Sequence, residues 1–212
     1  MTAYLRFFCA LAALTLLSAC AGTKQYIVDV EGSIPPPLVD PLPLDVAVHY
    51  SQAFGDYTTN QESLSGDTWR VAFKGLQQNY VHSMLSSAFD SVTIVDSAKP
   101  DPAGGYDLLI VPRVENFSFL TPAESGSKFF AVSMRHMFDI LAPNGNDFGP
   151  WEINSYGRSR SSFGSNVRAL ASEACLDAMR DLATSIVVGI PEEVANREFI
   201  DLNDLRRPGA KR

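Results

Sequence analysis

Residues 129–159 constrain the fold more than any other stretch of the chain. Phe130, Val132, Met134, Phe138 and Ile140 recur at every second position of Phe129–Leu141, interrupted by His136. Ser133, Arg135 and Asp139 take alternate positions. A period of two places these two sets on opposite faces of one long strand. Pro143-Asn144-Gly145-Asn146-Asp147 follows, with Asn144-Gly145 a strong hairpin signal. Trp151, Ile153 and Ser155 then alternate with Glu152, Asn154 and Tyr156 in a return strand over roughly Trp151–Ser159. An antiparallel hairpin of this length has an apolar face that another layer must cover.

The rest of the chain supplies that layer. Leu44, Val46, Val48 and Tyr50 alternate with Asp45, Ala47 and His49 in a half-buried strand. From Trp69 through Phe73, Leu76, Tyr80, Met84, Leu85 and Ala88, apolar residues step by three and four, as in an amphipathic helix. Its start is open, since Trp69–Phe73 also reads as a strand. Val92–Val95 is a short strand, Pro100–Gly105 a turn, and Tyr106–Val111 a further strand. That strand is stopped or bulged at Pro112, or carried on through Val114, Phe117 and Phe119. A second helix, capped by Ser165, runs from Arg168 to Ile186 with Ala171, Ala174, Cys175 and Ala178 on one side. Small residues there allow a close approach to the sheet. Gly189 and Pro191 are expected to end it. Glu192–Leu205 reads as a short surface helix and residues 206–212 as a basic tail. The expectation is an α+β domain over residues 44–190, with two main helices on one face of a mostly antiparallel mixed sheet. The opposite face is left to solvent or to an interface.

The N-terminus belongs to a different argument. Arg6 is the only charge in residues 1–19, and it precedes the apolar run Phe7–Leu17 and the small residues Ser18 and Ala19. This is the pattern of a secretory signal, and the run is short for the ~30 Å of a bilayer core. Leu17-Ser18-Ala19-Cys20 resembles the lipobox of bacterial lipoproteins, matching it at all four positions. The resemblance implies cleavage before Cys20 and lipidation of its sulfur, which anchors the chain to a membrane without spanning it. Ala21 stands where an Asp commonly retains lipoproteins at the inner membrane, so the resemblance extends to the outer-membrane class, with the domain facing the periplasm. Residues 20–43 then read as a tether, since Pro35, Pro36, Pro37, Pro41 and Pro43 oppose a helix. Tyr26-Ile27-Val28 could form a short edge strand. Removing 19 of 212 residues leaves 193, and losing Arg6 with no acid takes the formal charge from -7 to -8. With Cys20 lipidated, Cys175 has no partner for a disulfide. The acidic balance argues against nucleic acid as a partner.

Catalytic chemistry has little footing in the sequence. No Gly-x-Ser-x-Gly elbow is present, and His49, His82 and His136 fall on three different elements. Neither His-x-x-x-His nor paired cysteines occur, so no metal site and no cofactor is expected. Cys175 lies among alanines on an apolar helix side, as a small core residue does. The acidic pairs Asp177/Asp181 and Glu192/Glu193 suit a helix surface. The unusual local feature is Arg158-Ser159-Arg160-Ser161-Ser162-Phe163-Gly164, a basic strand exit in an acidic protein. It reads either as a solvated loop or as a contact for an anionic envelope component or partner, with Arg158 and Arg160 as the contact residues.

With its lipobox, spacer and α+β domain, the chain resembles a group of accessory lipoproteins of the bacterial envelope. The group includes outer-membrane activators of penicillin-binding proteins, the ring-forming lipoprotein of an exopolysaccharide exporter and the lipoprotein that plugs the lipopolysaccharide translocon. The likeness covers Leu44–Ile190, with Tyr106-Asp107-Leu108-Leu109-Ile110-Val111 as the central strand and Asn166–Ile186 as the final helix. The Gly-Phe continuation after the lipidated cysteine, common in the lipopolysaccharide-transport member, is lacking here. The resemblance implies a non-catalytic assembly or accessory factor that meets envelope proteins or further copies of itself. The alternative is a lipid- or glycan-binding periplasmic module, with an apolar pocket between helices and sheet and Arg158 or Arg160 at its mouth.

Overall fold

The computed structural model describes residues 23–161 and 164–197. Five strands form the main sheet: β2 (Leu42–Val48), β5 (Phe89–Ile94), β6 (Leu108–Leu120), β7 (Phe129–Leu141) and β8 (Asp147–Arg160). Their order is β5-β2-β6-β7-β8, parallel between β5, β2 and β6 and antiparallel from β6 onward. A smaller sheet, ordered β1-β4-β3, holds β1 (Gln25–Asp29), β3 (Thr58–Glu62) and β4 (Thr68–Ala72). The helices are α1 (Gln52–Gly55), α2 (Leu76–Ala88), α3 (Pro122–Ser125) and α4 (Val167–Asn196). The fold is α+β, and its long ladders are antiparallel.

The hairpin of β7 and β8 has the alternation its sequence demands. Phe130, Val132, Met134, His136, Phe138 and Ile140 are all buried, and the intervening side chains are partly or fully exposed. Residues 142–146 close the turn, with Ala142 N–H donating to Asn146 O at 2.8 Å and Gly145 at a φ of +90° that favours glycine. β6 continues through Pro112, and its ladder with β7 shifts register between Val114 and Asn116. Its neighbour β2 pairs with it only as far as Ile110, so the missing N–H at Pro112 falls where β7 alone flanks the strand.

One face of the main sheet carries the main core cluster, while Ala47 and Leu109 are buried on the other face. Helices α2 and α4 pack against each other and over the core face. The small sheet covers its remaining part through Trp69, whose ring lies 5.1 Å from Phe119 and 5.8 Å from Phe130. Trp69–Phe73 is therefore a strand and its exit, with the helix starting at Leu76 behind Gly75.

Three expectations need correction. The ordered domain reaches back into the expected tether, because residues 25–29 form β1, paired in parallel with β4, and Val28 and Val30 enter the core. The helix cap is Asn166 rather than Ser165, its side chain accepting from Arg168 N–H. Neither Gly189 nor Pro191 ends α4, which extends to Asn196, so the domain passes residue 190. Pro191 removes one helical hydrogen bond at a cost of ~3 kcal/mol. Burial of Ile190 and Val194, worth ~1.5–3 kcal/mol each, offsets that cost. The short helix expected near Phe199 and Leu202 and the basic tail lie outside the described residues.

Candidate functional site

α4 is about 45 Å long at 1.5 Å per residue, and it lies along the outer edge strand of the sheet. Gly157 is the point of closest approach, and a Cβ placed there would lie 2.1 Å from Ala174 O and 2.2 Å from Ala178 N. The alanines of α4 meet the glycine of β8 backbone to backbone. On either side of Gly157, Asp181 accepts from Tyr156 N–H at 2.9 Å and Asp177 from Arg158 N–H at 3.0 Å. Ser159 donates to Leu170 O, and Arg197 donates to the carbonyls of Phe148, Gly149 and Pro150 while pairing with Glu193. An exposed strand edge is a template for unwanted pairing. Here the helix and its C-cap residue take up two N–H groups and three carbonyls of β8. The acidic residues read from the sequence as helix surface are in part edge caps, and only the cross-strand geometry reveals it.

Apart from the buried Ala47 and Leu109, the opposite face of the sheet is open. It carries Arg113 paired with Glu115 and Asp139, and Arg135 paired with Glu152. Tyr156 is 62% exposed beside them. Arg158 and Arg160 project from this face at the end of β8, both exposed, with the Arg158 guanidinium 5.5 Å from the centre of the Phe129 ring. Neither forms an ion pair among the described residues. Residues 162 and 163 of the same basic exit lie outside the described residues, as does Cys20.

The pocket expected between helices and sheet, with Arg158 or Arg160 at its mouth, is not where those arginines stand. That interface is filled by Ala171, Ala174, Cys175, Ala178 and Met179, all fully buried, and the arginines sit on the far side of the sheet.

The three histidines occupy separate settings. The His49 ring lies 3.1 Å from Val95 O, and the His82 ring lies 3.4 Å from the Tyr50 hydroxyl. His136 is buried on the core face of β7 against Phe54, with no hydrogen-bond partner for either ring nitrogen. Burial pushes its pKa down to about 4, so the ring is neutral at pH 7. Burial likewise pushes the Cys175 thiol up to about 12, leaving an inert sulfhydryl in the core. Among the described residues, no group of three or more His, Cys, Asp or Glu side chains is placed to hold a metal ion. No helix among them is long and apolar enough to cross a membrane.

Comparison with known proteins adds the fold. No family model matches the sequence, and no curated protein does. A Xanthomonas campestris protein of the DUF330 family aligns with a TM-score of 0.55 at 12% identity, over 82% of this chain and 99% of that one. The two share a fold. Rare lipoprotein B of Shewanella oneidensis aligns over 73% of this chain and 98% of its own, at 15% identity and a TM-score of 0.42. Lipoprotein GNA1162 of Neisseria meningitidis covers 73% and 99%, at 11% identity and a TM-score of 0.31. The last two likenesses are too distant to establish a common fold.

Proposed function

We propose that this chain is an outer-membrane lipoprotein, anchored through Cys20, whose periplasmic domain is a non-catalytic assembly or accessory factor of an envelope complex. The observation that carries the reading is how soon the domain takes hold of the chain behind the lipobox. Lys24 N–H donates to Asp67 at 2.9 Å, and Thr68 N–H donates to Lys24 O at 2.9 Å. Only three residues separate Cys20 from this clasp, and the four chain steps between them reach at most ~14 Å at ~3.5 Å per residue. An acylated Cys20 therefore holds the domain against the bilayer surface. A partner standing in or on that membrane is met at short range. The open sheet face, with Tyr156, Arg158 and Arg160 exposed, offers that partner a surface of aromatic and cationic groups.

The anchor is tested by fractionating membranes from cells producing the wild type and Cys20→Ala. Density separation should recover the wild type with the outer membrane, and the variant should leave that fraction. Unchanged retention of the variant refutes the anchor. For the accessory role, a photo-crosslinking residue at position 156 in intact cells should capture a discrete envelope protein or a second copy of the chain. Recovery of the uncrosslinked monomer alone refutes the contact face.

A further inference from the structure

After β1 the chain does not leave the domain. It runs along α4 as a strap: Glu31 N–H faces the Ser172 hydroxyl, Gly32 lies against Leu176, and Ile34, Pro35 and Pro37 reach the stretch of the helix from Arg180 to Val188. Between that strap and the helices lies an open cavity of about 240 Å³, separate from the edge contacts and the open sheet face. Ile34, Pro35 and Pro37 form one wall, and Met84, Ala183, Thr184, Val187 and Val188 the other. Arg180 is the one charged residue of the lining. Val188 is 72% exposed at its mouth, and Leu38 is fully exposed on the strap beyond.

The chemistry of these walls selects the occupant. Prolines have no N–H to offer, and the backbone of α4 is committed to its own helix. The Thr184 hydroxyl donates to Arg180 O. A peptide laid in the cavity would leave its own N–H and C=O groups unpaired, at about 1–3 kcal/mol for each one desolvated. A hydrocarbon chain has no such groups. At ~30 Å³ per water-sized group, the space takes roughly eight carbons, a segment of one chain rather than a folded headgroup. The guanidinium of Arg180 has no ion pair among the described residues. Burial raises the Tyr80 hydroxyl, and the Arg180 charge opposes that rise, which sets the cation near α2 at the cavity rim.

We propose that the cavity between the proline strap and α2/α4 binds one acyl chain of an anionic single-chain amphiphile, with Arg180 meeting its headgroup. Among the described residues the strap makes no backbone hydrogen bond to the helices between residues 32 and 41, so apolar contact holds it there. The site does not depend on the anchored accessory role.

The probe is a hexadecanoic acid carrying a diazirine and an alkyne, added to isolated membranes that contain the full chain and irradiated without coenzyme A. Labelled peptides should concentrate at residues 34–37 and 180–188. Unlabelled palmitate should compete about fivefold better than hexadecanol, the increment expected of one exposed charge pair. Arg180→Gln should remove that preference, and Val188→Glu, an exposed position that leaves the fold intact, should abolish the labelling. Lysophosphatidylglycerol as a second competitor separates the two sources of such a ligand: if it outcompetes palmitate the headgroup is a phosphate, and if it does not the headgroup is a free carboxylate. Label spread evenly along the chain, equal competition by hexadecanol, or full labelling of Val188→Glu each overturns the proposal. If the chain proves to be unanchored, the same labelling is read on the soluble fraction, so the two proposals fail separately.

Discussion

Replacing Gly157 by alanine adds one methyl group where α4 crosses β8, and the structure sets the size of the effect. The new Cβ would lie 2.1 Å from Ala174 O, 2.2 Å from Ala178 N and 2.9 Å from Ala178 Cα, all backbone atoms that no rotamer change can move. Restoring an ordinary separation requires α4 to retreat by about 1 Å. That movement would stretch the bonds from Asp181 to Tyr156 N–H and from Asp177 to Arg158 N–H, now 2.9 and 3.0 Å, beyond hydrogen-bonding range. Overpacking costs about 1–3 kcal/mol, and each hydrogen bond to a charged acceptor is worth ~1.5–3 kcal/mol when buried, less at this exposed edge. The sum is ~3–5 kcal/mol, or roughly 6–20 °C in Tm for a domain of this size. Thermal melts followed by circular dichroism, with Tyr156→Ala as an exposed control that moves little, measure it. A Gly157→Ala protein melting within 2 °C of the parent would refute the backbone contact and the edge-capping role of α4.

Other consequences are open to measurement. His136 is held neutral in the fold with its pKa near 4, against an ordinary value of 6.5. Stability is full above pH 6.5, and as pH falls from 6.5 toward 4 the unfolded chain alone takes up the proton, removing ~3 kcal/mol in total. Urea titrations over that window should show this loss in the wild type and not in His136→Met; equal slopes in both proteins count against the buried neutral ring. In protein processed to begin at Cys20 and acylated there, Cys175 should react with a thiol reagent only at the rate of unfolding, and fast labelling under native conditions would contradict its burial. Replacing both Asp177 and Asp181 by alanine leaves two N–H groups of β8 without acceptors. The expected loss is ~1–3 kcal/mol together with concentration-dependent association through the freed edge, and light scattering that stays monomeric at high concentration argues against the second effect.

Legibility in the sequence followed the range of the interactions concerned. The bounds of the longest strand expected, Phe129–Leu141, are those of β7, and its alternation names the buried face residue by residue. The alanine side of α4 foretold a close approach, because a residue without a long side chain leaves space only if a neighbour fills it. β3 escaped notice because Thr-Thr-Asn-Gln-Glu has no apolar period, being a strand that β4 recruits by backbone pairing. The roles of Asp177, Asp181 and Arg197 were equally silent, since each acts on a strand 19 to 49 positions away.

By itself the sequence determined the long hairpin and the class of the domain, because periodicities are written in neighbouring residues. Only the tertiary structure decided that α4 outlasts Pro191, that its carboxylates close the sheet edge, and that the proline segment is a strap over a cavity rather than a free tether. Those outcomes depend on what packs against each segment, and burial gained across the fold outweighs the local preferences of a proline, an acidic pair or a polar strand.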